Sequence, residues 1–279
     1  MSILDYKIDF AVVFLVKNAN PNGDPLNGNR PRQNYEGFGE VSDVCIKRKI
    51  RNRLQDQGEP IFVQSDERKN DGFKSLKERA DSVKELKETK DKDLYHDISC
   101  ETWTDVRSFG QVFAFKGGES TSIGVRGPVS IHPAISLHPV DITSTQITKS
   151  VNSTTSDNKG SDTMGMKHRV DFGVYVFYGS INTQLAEKTK FTKEDAEKIK
   201  YSLETLFEND ASSARPDGSM TINKVYWWKH NTKLGQYPSG KVHRSLSIEL
   251  KEETPKTMDD VKIELSNLKG LDVEVYDGE

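Results

Sequence analysis

The chain has 279 residues, 34% of them hydrophobic, which suffices for one large domain or two small ones with a real core. Its 40 basic and 43 acidic residues give a net charge of −3, so any surface that binds nucleic acid has to be local. The cysteines Cys45 and Cys100 form no C-x-x-C pair, and no run of 18 apolar residues or basic-then-apolar leader occurs. We therefore expect a cytoplasmic protein with no disulfide scaffold, no zinc site and no membrane contact.

A central strand opens the chain. Residues 6–16 alternate with apolar side chains on both faces, which is typical of a strand buried on both sides. The next segment, "NANPNGDPLNGNRPRQN", spans residues 18–34 and contains six Asn and three Pro; we call it the asparagine-rich loop.

A basic helix follows over residues 42–56, with Ser42 as its N-cap and Asp43 in its first turn. The spacing predicts an apolar face and leaves five cations on the remaining surface. The apolar positions are Val41, Val44, Cys45, Ile46, Ile50 and Leu54, and the cations are Lys47, Arg48, Lys49, Arg51 and Arg53.

The middle of the chain reads as an insertion followed by strands. Residues 66–97 are dense in both charges and have helical apolar spacing, which predicts a solvated amphipathic helix. The β-prone runs 103–115 and 123–137, separated by Gly117 and Gly118, predict paired strands. Eleven of the 21 residues from Thr143 to Thr163 are Ser or Thr, which indicates a projecting loop or hairpin.

The last third alternates strand and helix again. We predict strands at 169–181, 221–231, 242–250 and 271–277, and a helix opened by a capping box of Thr192 and Asp195. The final 28 residues carry nine acidic and three basic side chains, a composition that disfavours phosphate. The element order predicts an α+β protein on the ferredoxin-like βαββαβ plan, enlarged by insertions.

One stretch of the chain is locally basic. Between Arg30 and Arg53 there are seven basic and three acidic residues, a net charge of +4. Cations, loop N–H groups and a helix N-terminus, all present here, are the groups that hold phosphates. The alternative from charge alone is a solvated helix face.

The other motifs in the chain are weaker evidence for a function. "GFG" at residues 37–39 lacks the short strand-to-helix turn of a dinucleotide site. Asp24 and Asp43 could form an acid/base or metal pair, but a turn-forming and a helix-dipole role are the alternatives. The histidines are scattered, and the strand aromatics, including Tyr226 and Trp228, are typical of core. In "TMGMKHR", residues 163–169, the methionines could wedge between bases or fill a core.

Several long blocks in this order resemble one known family: "FLVKNANPNGDPLNGNRPR", "DVCIKRKIRN", "TDVRSFGQV", "VRGPV", "TMGMK" and "NDASSARPDGSM". Together, over about residues 5–250, they resemble the crRNA-binding backbone subunit of CRISPR type I surveillance complexes (Cascade), most closely the type I-C member of the RAMP superfamily. The resemblance implies a modified RRM-like palm with a helical fingers insertion and an extended thumb hairpin.

The resemblance divides the chain into segments. They are the first half of the palm at 1–60, the fingers at 61–108, palm strands at 109–135, the thumb at 136–168, the second half of the palm at 169–251 and an acidic segment at 252–279. It also implies head-to-tail copies along one crRNA, target DNA reached through guide pairing, and other type I-C subunits as partners. Neither a cofactor nor a metal is implied.

Carried onto this chain, the family's RNA grip has a main set and a weaker one. The main set is Asn20, Asn22, Arg30, Arg32, Lys47, Arg48 and Arg51, and the weaker set is Arg107, Met164, Met166 and Lys167. Type I members are regarded as non-cleaving, so no catalytic residue is expected. Type III relatives cut RNA with an Asp in the loop after the first strand, where this chain has Asp24, which leaves a metal-dependent endonuclease as the alternative.

Overall fold

A computed structural model of the protein describes residues 2–114, 122–148 and 164–278. Its strands are β1 (Ile8–Ala19), β2 (Gly23–Asp24), β3 (Arg30–Pro31), β4 (Phe38–Val41), β5 (Gly110–Phe113), β6 (Ile123–Arg126), β7 (Val129–Ile131), β8 (Ala134–Pro139), β9 (Ile142–Thr148), β10 (Met164–Ile181), β11 (Met220–Lys229), β12 (Leu246–Leu250), β13 (Val261–Leu265) and β14 (Asp272–Asp277). Its α-helices are α1 (Asp43–Asp56), α2 (Leu76–Asp81), α3 (Lys84–Glu88), α4 (Lys92–Thr102), α5 (Thr104–Phe109), α6 (Thr183–Thr189), α7 (Lys193–Glu204) and α8 (Ser239–His243).

The centre of the molecule is an antiparallel sheet of eight strands in the order β14-β11-β1-β10-β8-β4, with β7 and β9 also paired to β10. β1 lies between β10 and β11 and is buried on both faces, as its apolar alternation predicts. The fold is therefore a mixed α/β arrangement around one large antiparallel sheet.

Helices α1 and α7 cover one face of this sheet. Ile46, Ile50 and Leu54 of α1 are at most 1% exposed and pack in the same cluster as Phe10 and Phe14 of β1. Burying three such side chains contributes on the order of 5–9 kcal/mol. The core therefore holds α1 in place despite its basic composition.

The second face of the sheet is covered by α8 and the β12–β13 hairpin. Ala11, Val13 and Trp228 on the sheet pack with Val242 and Leu246. Trp227 and Tyr226 are also buried, so the strand aromatics are core residues. The strand predicted over residues 242–250 is wrong in its first half. Residues 242 and 243 belong to α8, which begins after Pro238, and the strand β12 begins at Leu246.

The single helix predicted over 66–97 is wrong. The segment forms α2, α3 and the start of α4, because Ser75 and Asp91 cap new helices and Val83 is extended. With α5 and the β5–β6 hairpin these helices enclose a separate small core around Phe62 and Trp103. A straight helix could not surround that core.

The strand predicted over residues 103–115 is wrong in its first half, because Thr104–Phe109 forms α5 and only Gly110–Phe113 is strand. The carboxylate of Asp105 in α5 accepts hydrogen bonds from the N–H groups of Phe62 (2.7 Å) and Val63 (3.1 Å). This tertiary contact has no local sequence signature. The pairing of β5 with β6 is as predicted; Gly117 and Gly118 lie outside the described residues.

The projecting segment predicted after residue 143 forms the two strands of a β-hairpin in the residues that the structure describes. β9 pairs with β10 in register from Ile142 opposite Val170 to Thr148 opposite Met164. Residues 149–163 lie outside the described part of the chain. The capping box of Thr192 and Asp195 is confirmed at the start of α7, whereas α6 was not predicted. Among the described helices, none has the length and apolar character needed to cross a membrane.

Candidate nucleic-acid interface

The asparagine-rich loop is held in shape by its own amides. It leaves β1 at Asn18, whose φ of 54° is left-handed, and turns back through the two-residue pairing of β2 with β3. The buried Asn20 donates a side-chain hydrogen bond to the Asn29 carbonyl (2.7 Å) and its backbone N–H to the Ala214 carbonyl (2.9 Å). Asn18 and Asn29 both have a left-handed backbone, which Asn tolerates better than most residues. The loop is therefore a defined surface.

Asn22 connects this loop to the basic helix. Its side-chain oxygen accepts hydrogen bonds from the backbone N–H (3.0 Å) and hydroxyl (2.9 Å) of Ser42. The Ser42 hydroxyl in turn caps α1 by accepting from the Cys45 N–H, which confirms the predicted N-cap. Loop and helix thus form one continuous element.

Asp24 occupies a turn-forming position. Its carboxylate accepts a hydrogen bond from the Leu26 N–H (3.2 Å) and lies 3.5 Å from a terminal nitrogen of Arg32. The turn-forming alternative is therefore confirmed. Across residues 2–114, 122–148 and 164–278, no group of three or more His, Cys, Asp or Glu side chains is placed to hold a metal ion.

Arg30 joins the asparagine-rich loop to the base of the hairpin. Its guanidinium donates to the Ser144 hydroxyl on β9 (2.9 Å), which lies 2.8 Å from His168 Nδ1 on β10. His168 had no predicted role, and its only sequence signal was its place beside Lys167. Along β10, Met164 and Met166 are 61% and 53% exposed, so the core alternative for these methionines is wrong.

The cations of α1 separate into two groups, and the prediction that all five crowd the surface is wrong. Lys49 and Arg53 are buried and bind carboxylates: Lys49 pairs with Asp210, and Arg53 with Asp56 and Glu208. They lie on the inner face because α1 is covered on that side by the segment after α7. Val44, predicted as apolar face, is 67% exposed.

The remaining cations of α1 are partly exposed. Lys47 binds Asp43 one turn earlier (2.9 Å), and Arg48 donates to the Val63 carbonyl (2.6 Å). Burial lowers the pKa of Arg48, with nearby Arg51 adding to the effect. Arg51 has internal partners: it donates to the Asp105 carboxylate (2.9 Å).

Arg107 also faces inward. Its guanidinium binds both carboxylate oxygens of Asp195, at 2.9 and 2.8 Å, and its side chain is 15% exposed. Asp195 is the capping residue of α7, so Arg107 fastens α5 to the helix that covers the sheet. Arg107, which is predicted for RNA contact, therefore has a bidentate partner inside the fold.

The fold and this interface define a mixed α/β protein that presents an ordered, cation-bearing loop beside an extended β-hairpin. The chain belongs to the Cas7 family of CRISPR-associated proteins, whose family model matches residues 6–266.

The CRISPR-associated protein Cas7 of Haloferax volcanii is 28% identical over 205 residues, which are 67% of this chain. The chain spans about 60% of the length of that relative. Among solved structures, a chain of a "CRISPR RNA-guided surveillance complex, pre-nicking" has a TM-score of 0.50 at 17% identity, covering 80% of this chain and 75% of that one. A chain of a second "CRISPR RNA-guided surveillance complex" has a TM-score of 0.46 at 15% identity, covering 80% and 68%. The likeness to the first of these two solved structures supports the mixed α/β fold described above.

Proposed function

We propose that this protein is a backbone subunit of a CRISPR RNA-guided surveillance complex, in which it binds the guide RNA without reading its sequence. One observation carries the proposal: the asparagine-rich loop is bonded at Asn22 to the cap of α1 and at Arg30 to the hairpin base. Cations from three separate segments thereby join one surface. Cas7 family membership and the surveillance-complex likeness of the fold support the same function.

The element order supports a ferredoxin-like, RRM-like palm. β1, α1, β8, β10, α7 and β11 follow one another as βαββαβ, and four of these strands lie in the sheet order β11-β1-β10-β8. On this proposal the helical insertion at 61–108 is the fingers, and β9 with the start of β10 is the thumb. Two boundaries move on this proposal: the β5–β6 hairpin packs with the insertion and joins the fingers, and β8, a strand of the large sheet, joins the palm.

Within the proposed site the residues have different tasks. Contact with the RNA backbone falls to the cations that keep exposed surface, and the exposed methionines are placed to wedge between bases. The others hold the interface in shape through internal partners. The contact set is Arg30, Arg32, Lys47, Arg48, Lys167, Met164 and Met166, and the positioning set is Asn20, Asn22, Arg51 and Arg107.

We propose further that copies assemble head to tail along one crRNA in a cytoplasmic type I-C complex, with target DNA reached by pairing to the guide. In this role the protein needs no cofactor and performs no chemistry. The endonuclease alternative rests on Asp24, whose carboxylate already accepts a hydrogen bond from the Leu26 N–H and pairs with Arg32. A single carboxylate engaged in this way is a weak basis for metal-dependent cleavage.

The proposal predicts that neutralising Arg30, Arg32 and Lys47 together (each to Gln) weakens RNA binding. Each lost phosphate contact lowers the slope of log Kobs against log salt by roughly 0.7 for a single strand, so the slope falls by about 2. The measurement is fluorescence anisotropy of a labelled oligouridine over a salt series.

The matched control neutralises three lysines of the acidic C-terminal segment, Lys256, Lys262 and Lys269, which are exposed. It is expected to keep the wild-type slope. Equal slopes for the wild type and the first triple variant would refute the interface, and RNA cleavage that depends on Asp24 would revive the endonuclease.

A further inference from the structure

A second cationic feature lies beside the asparagine-rich loop. It is a cleft of about 230 Å³ between α1, residues 65–68 of the insertion and the loop that joins α7 to β11, which we call the 205–219 loop. The charged residues of its lining are Arg48, Lys49, Glu67, Arg68, Asp210 and Arg215. Pockets for small-molecule ligands typically measure about 300–1,000 Å³, so this cleft suits a smaller group.

The charges in the cleft do not balance. Lys49 and Arg215 share one carboxylate, because Asp210 Oδ2 accepts from both, and Arg215 Nε is the partner at 3.1 Å. Within the described ranges no carboxylate lies within ion-pair distance of Arg48, which donates to the Val63 carbonyl. Arg68 has its own partner in Asp56. Lys49 and Arg215 therefore share one ion-pair partner, and Arg48 has none within ion-pair distance, although the negative charge of Asp105 acts on it from further away. Glu67 at the rim is the remaining carboxylate of the lining.

The environment of these cations supports this count. Burial lowers the pKa of Lys49 despite the adjacent Asp210, and burial also lowers the pKa of Arg48. Loss of hydration disfavours the charged forms of both side chains. An anion in the cleft would offset part of that cost.

The backbone holds Arg215 in a suitable position. A tight turn pairs Ser212 with Arg215 in both directions, at 2.8 and 3.0 Å, and the Ser212 hydroxyl accepts from the Arg215 N–H (3.2 Å). The side-chain Nε is fixed on Asp210, while the two terminal nitrogens have no partner in the part of the chain described. A guanidinium fork of this kind matches two oxygens of one phosphate.

The cleft continues the proposed interface. Ala214, next to Arg215, accepts the backbone N–H of Asn20, and the Cys45 thiol lies 3.8 Å from the Pro21 carbonyl. The 205–219 loop and the asparagine-rich loop are thus in direct contact. A bound strand that crosses one loop reaches the other without leaving the surface.

We propose that this cleft binds one backbone phosphate of single-stranded RNA, with Arg215 and Arg48 as its ligands. Asp210 and Lys49 position Arg215, and the Ser65 and Ser212 hydroxyls are available as further donors. This inference rests on the proposed function and deepens it, because it assigns a contact to the 205–219 loop. Glu67, exposed at the rim, is the carboxylate that opposes the phosphate.

The test compares Arg215→Gln with a matched control, Arg244→Gln, in which an exposed arginine beside α8 is neutralised. Binding of labelled oligouridine is measured over a salt series for the full chain. Arg215→Gln is expected to lower the salt slope by about 0.7, the value for one single-strand phosphate contact. Arg244→Gln is expected to keep the wild-type slope and affinity.

A third variant separates a lost contact from a folding defect. Glu67→Gln removes the opposing charge at the rim and is expected to tighten RNA binding about threefold, since a unit charge some 6–7 Å away in water is worth that much. A folding defect would weaken binding.

The outcomes distinguish the two proposals. Wild-type binding with an unchanged slope for Arg215→Gln, or no tightening in Glu67→Gln, would overturn the phosphate cleft and leave the RNA-binding function standing. A wild-type chain that binds no oligouridine at low salt would overturn both.

Discussion

Arg107 and Arg51 show at the scale of single residues how a cation in a basic stretch can be internal. Both have carboxylate partners buried at 2% exposure or less, Asp195 for Arg107 and Asp105 for Arg51. Removing one member of a buried ion pair leaves its partner as an uncompensated buried charge, which typically lowers the free energy of unfolding by about 3–5 kcal/mol. Their removal should therefore affect stability before it affects binding.

We predict that Arg107→Ala lowers the free energy of unfolding by roughly 3 kcal/mol, because Asp195 stays buried without its partner. Denaturant unfolding followed by circular dichroism measures the change. Exposed Arg244→Ala is the control and should change stability by less than about 0.5 kcal/mol. If Arg107→Ala unfolded like the wild type but bound RNA more weakly, Arg107 would instead be an RNA contact.

At the scale of elements, the asparagine-rich loop and α1 act as a unit because Asn22 and Ser42 share hydrogen bonds. The N-cap contribution of Ser42 is worth about 1 kcal/mol. Removal of Asn22 also leaves the Ser42 N–H without the acceptor that it has in the fold. The two side chains should therefore be energetically coupled.

We predict a double-mutant cycle of Asn22→Ala and Ser42→Ala in which the effects on unfolding free energy are not additive, with a coupling on the order of 0.5–3 kcal/mol. Pairing Asn22→Ala with Ser75→Ala, the cap of α2, provides the control cycle and should be additive. Additive effects in the first cycle would mean that the loop and the helix are held independently.

At the scale of the whole molecule, the second face of the sheet buries a polar group of residues beneath α8. Asp9 is fully buried and accepts from Lys7 (2.9 Å) and from His230 Nε2 (2.8 Å). His243 lies 3.8 Å from Asp9 Oδ1, and its ring faces His132 and Tyr178. Burial lowers the pKa of His243, although Asp9 partly opposes the shift.

The sign of the pH dependence follows from that shift. Because the folded chain takes up a proton at His243 less readily than the unfolded chain, stability is lost as the pH falls through about 6.5, the pKa of an unperturbed histidine. We predict that the unfolding free energy falls between pH 7.5 and pH 5.5, and that His243→Gln makes this dependence shallower. Denaturant unfolding across that range measures it, with Arg244→Gln, an exposed residue beside α8, as control. A wild-type slope in His243→Gln would assign the dependence to other groups.

Prediction from sequence was most accurate where the signal is local. The two-sided alternation of residues 6–16 determined β1, and Ser42, Thr192 and Asp195 determined two helix starts, since a cap is a contact between residues three apart. It was least accurate in the insertion. There, Ser75 and Asp91 were available as cap signals, but the high charge of residues 66–97 and its continuous helical spacing concealed the breaks.

The sequence by itself determined the central strand, the basic stretch from Arg30 to Arg53 and the caps of α1 and α7, because periodicity, charge and capping chemistry are properties of neighbours along the chain. It left the role of Asp24 and the choice between loop and hairpin after residue 143 open. Only the tertiary structure decided which cations stay exposed and which are buried against Asp105, Asp195 and Asp210. It also placed Arg215 in the lining of the same cleft as Arg48, which is 167 positions away in the sequence. An ion pair depends on the packing of separate elements, and no local pattern records which partners that packing brings together.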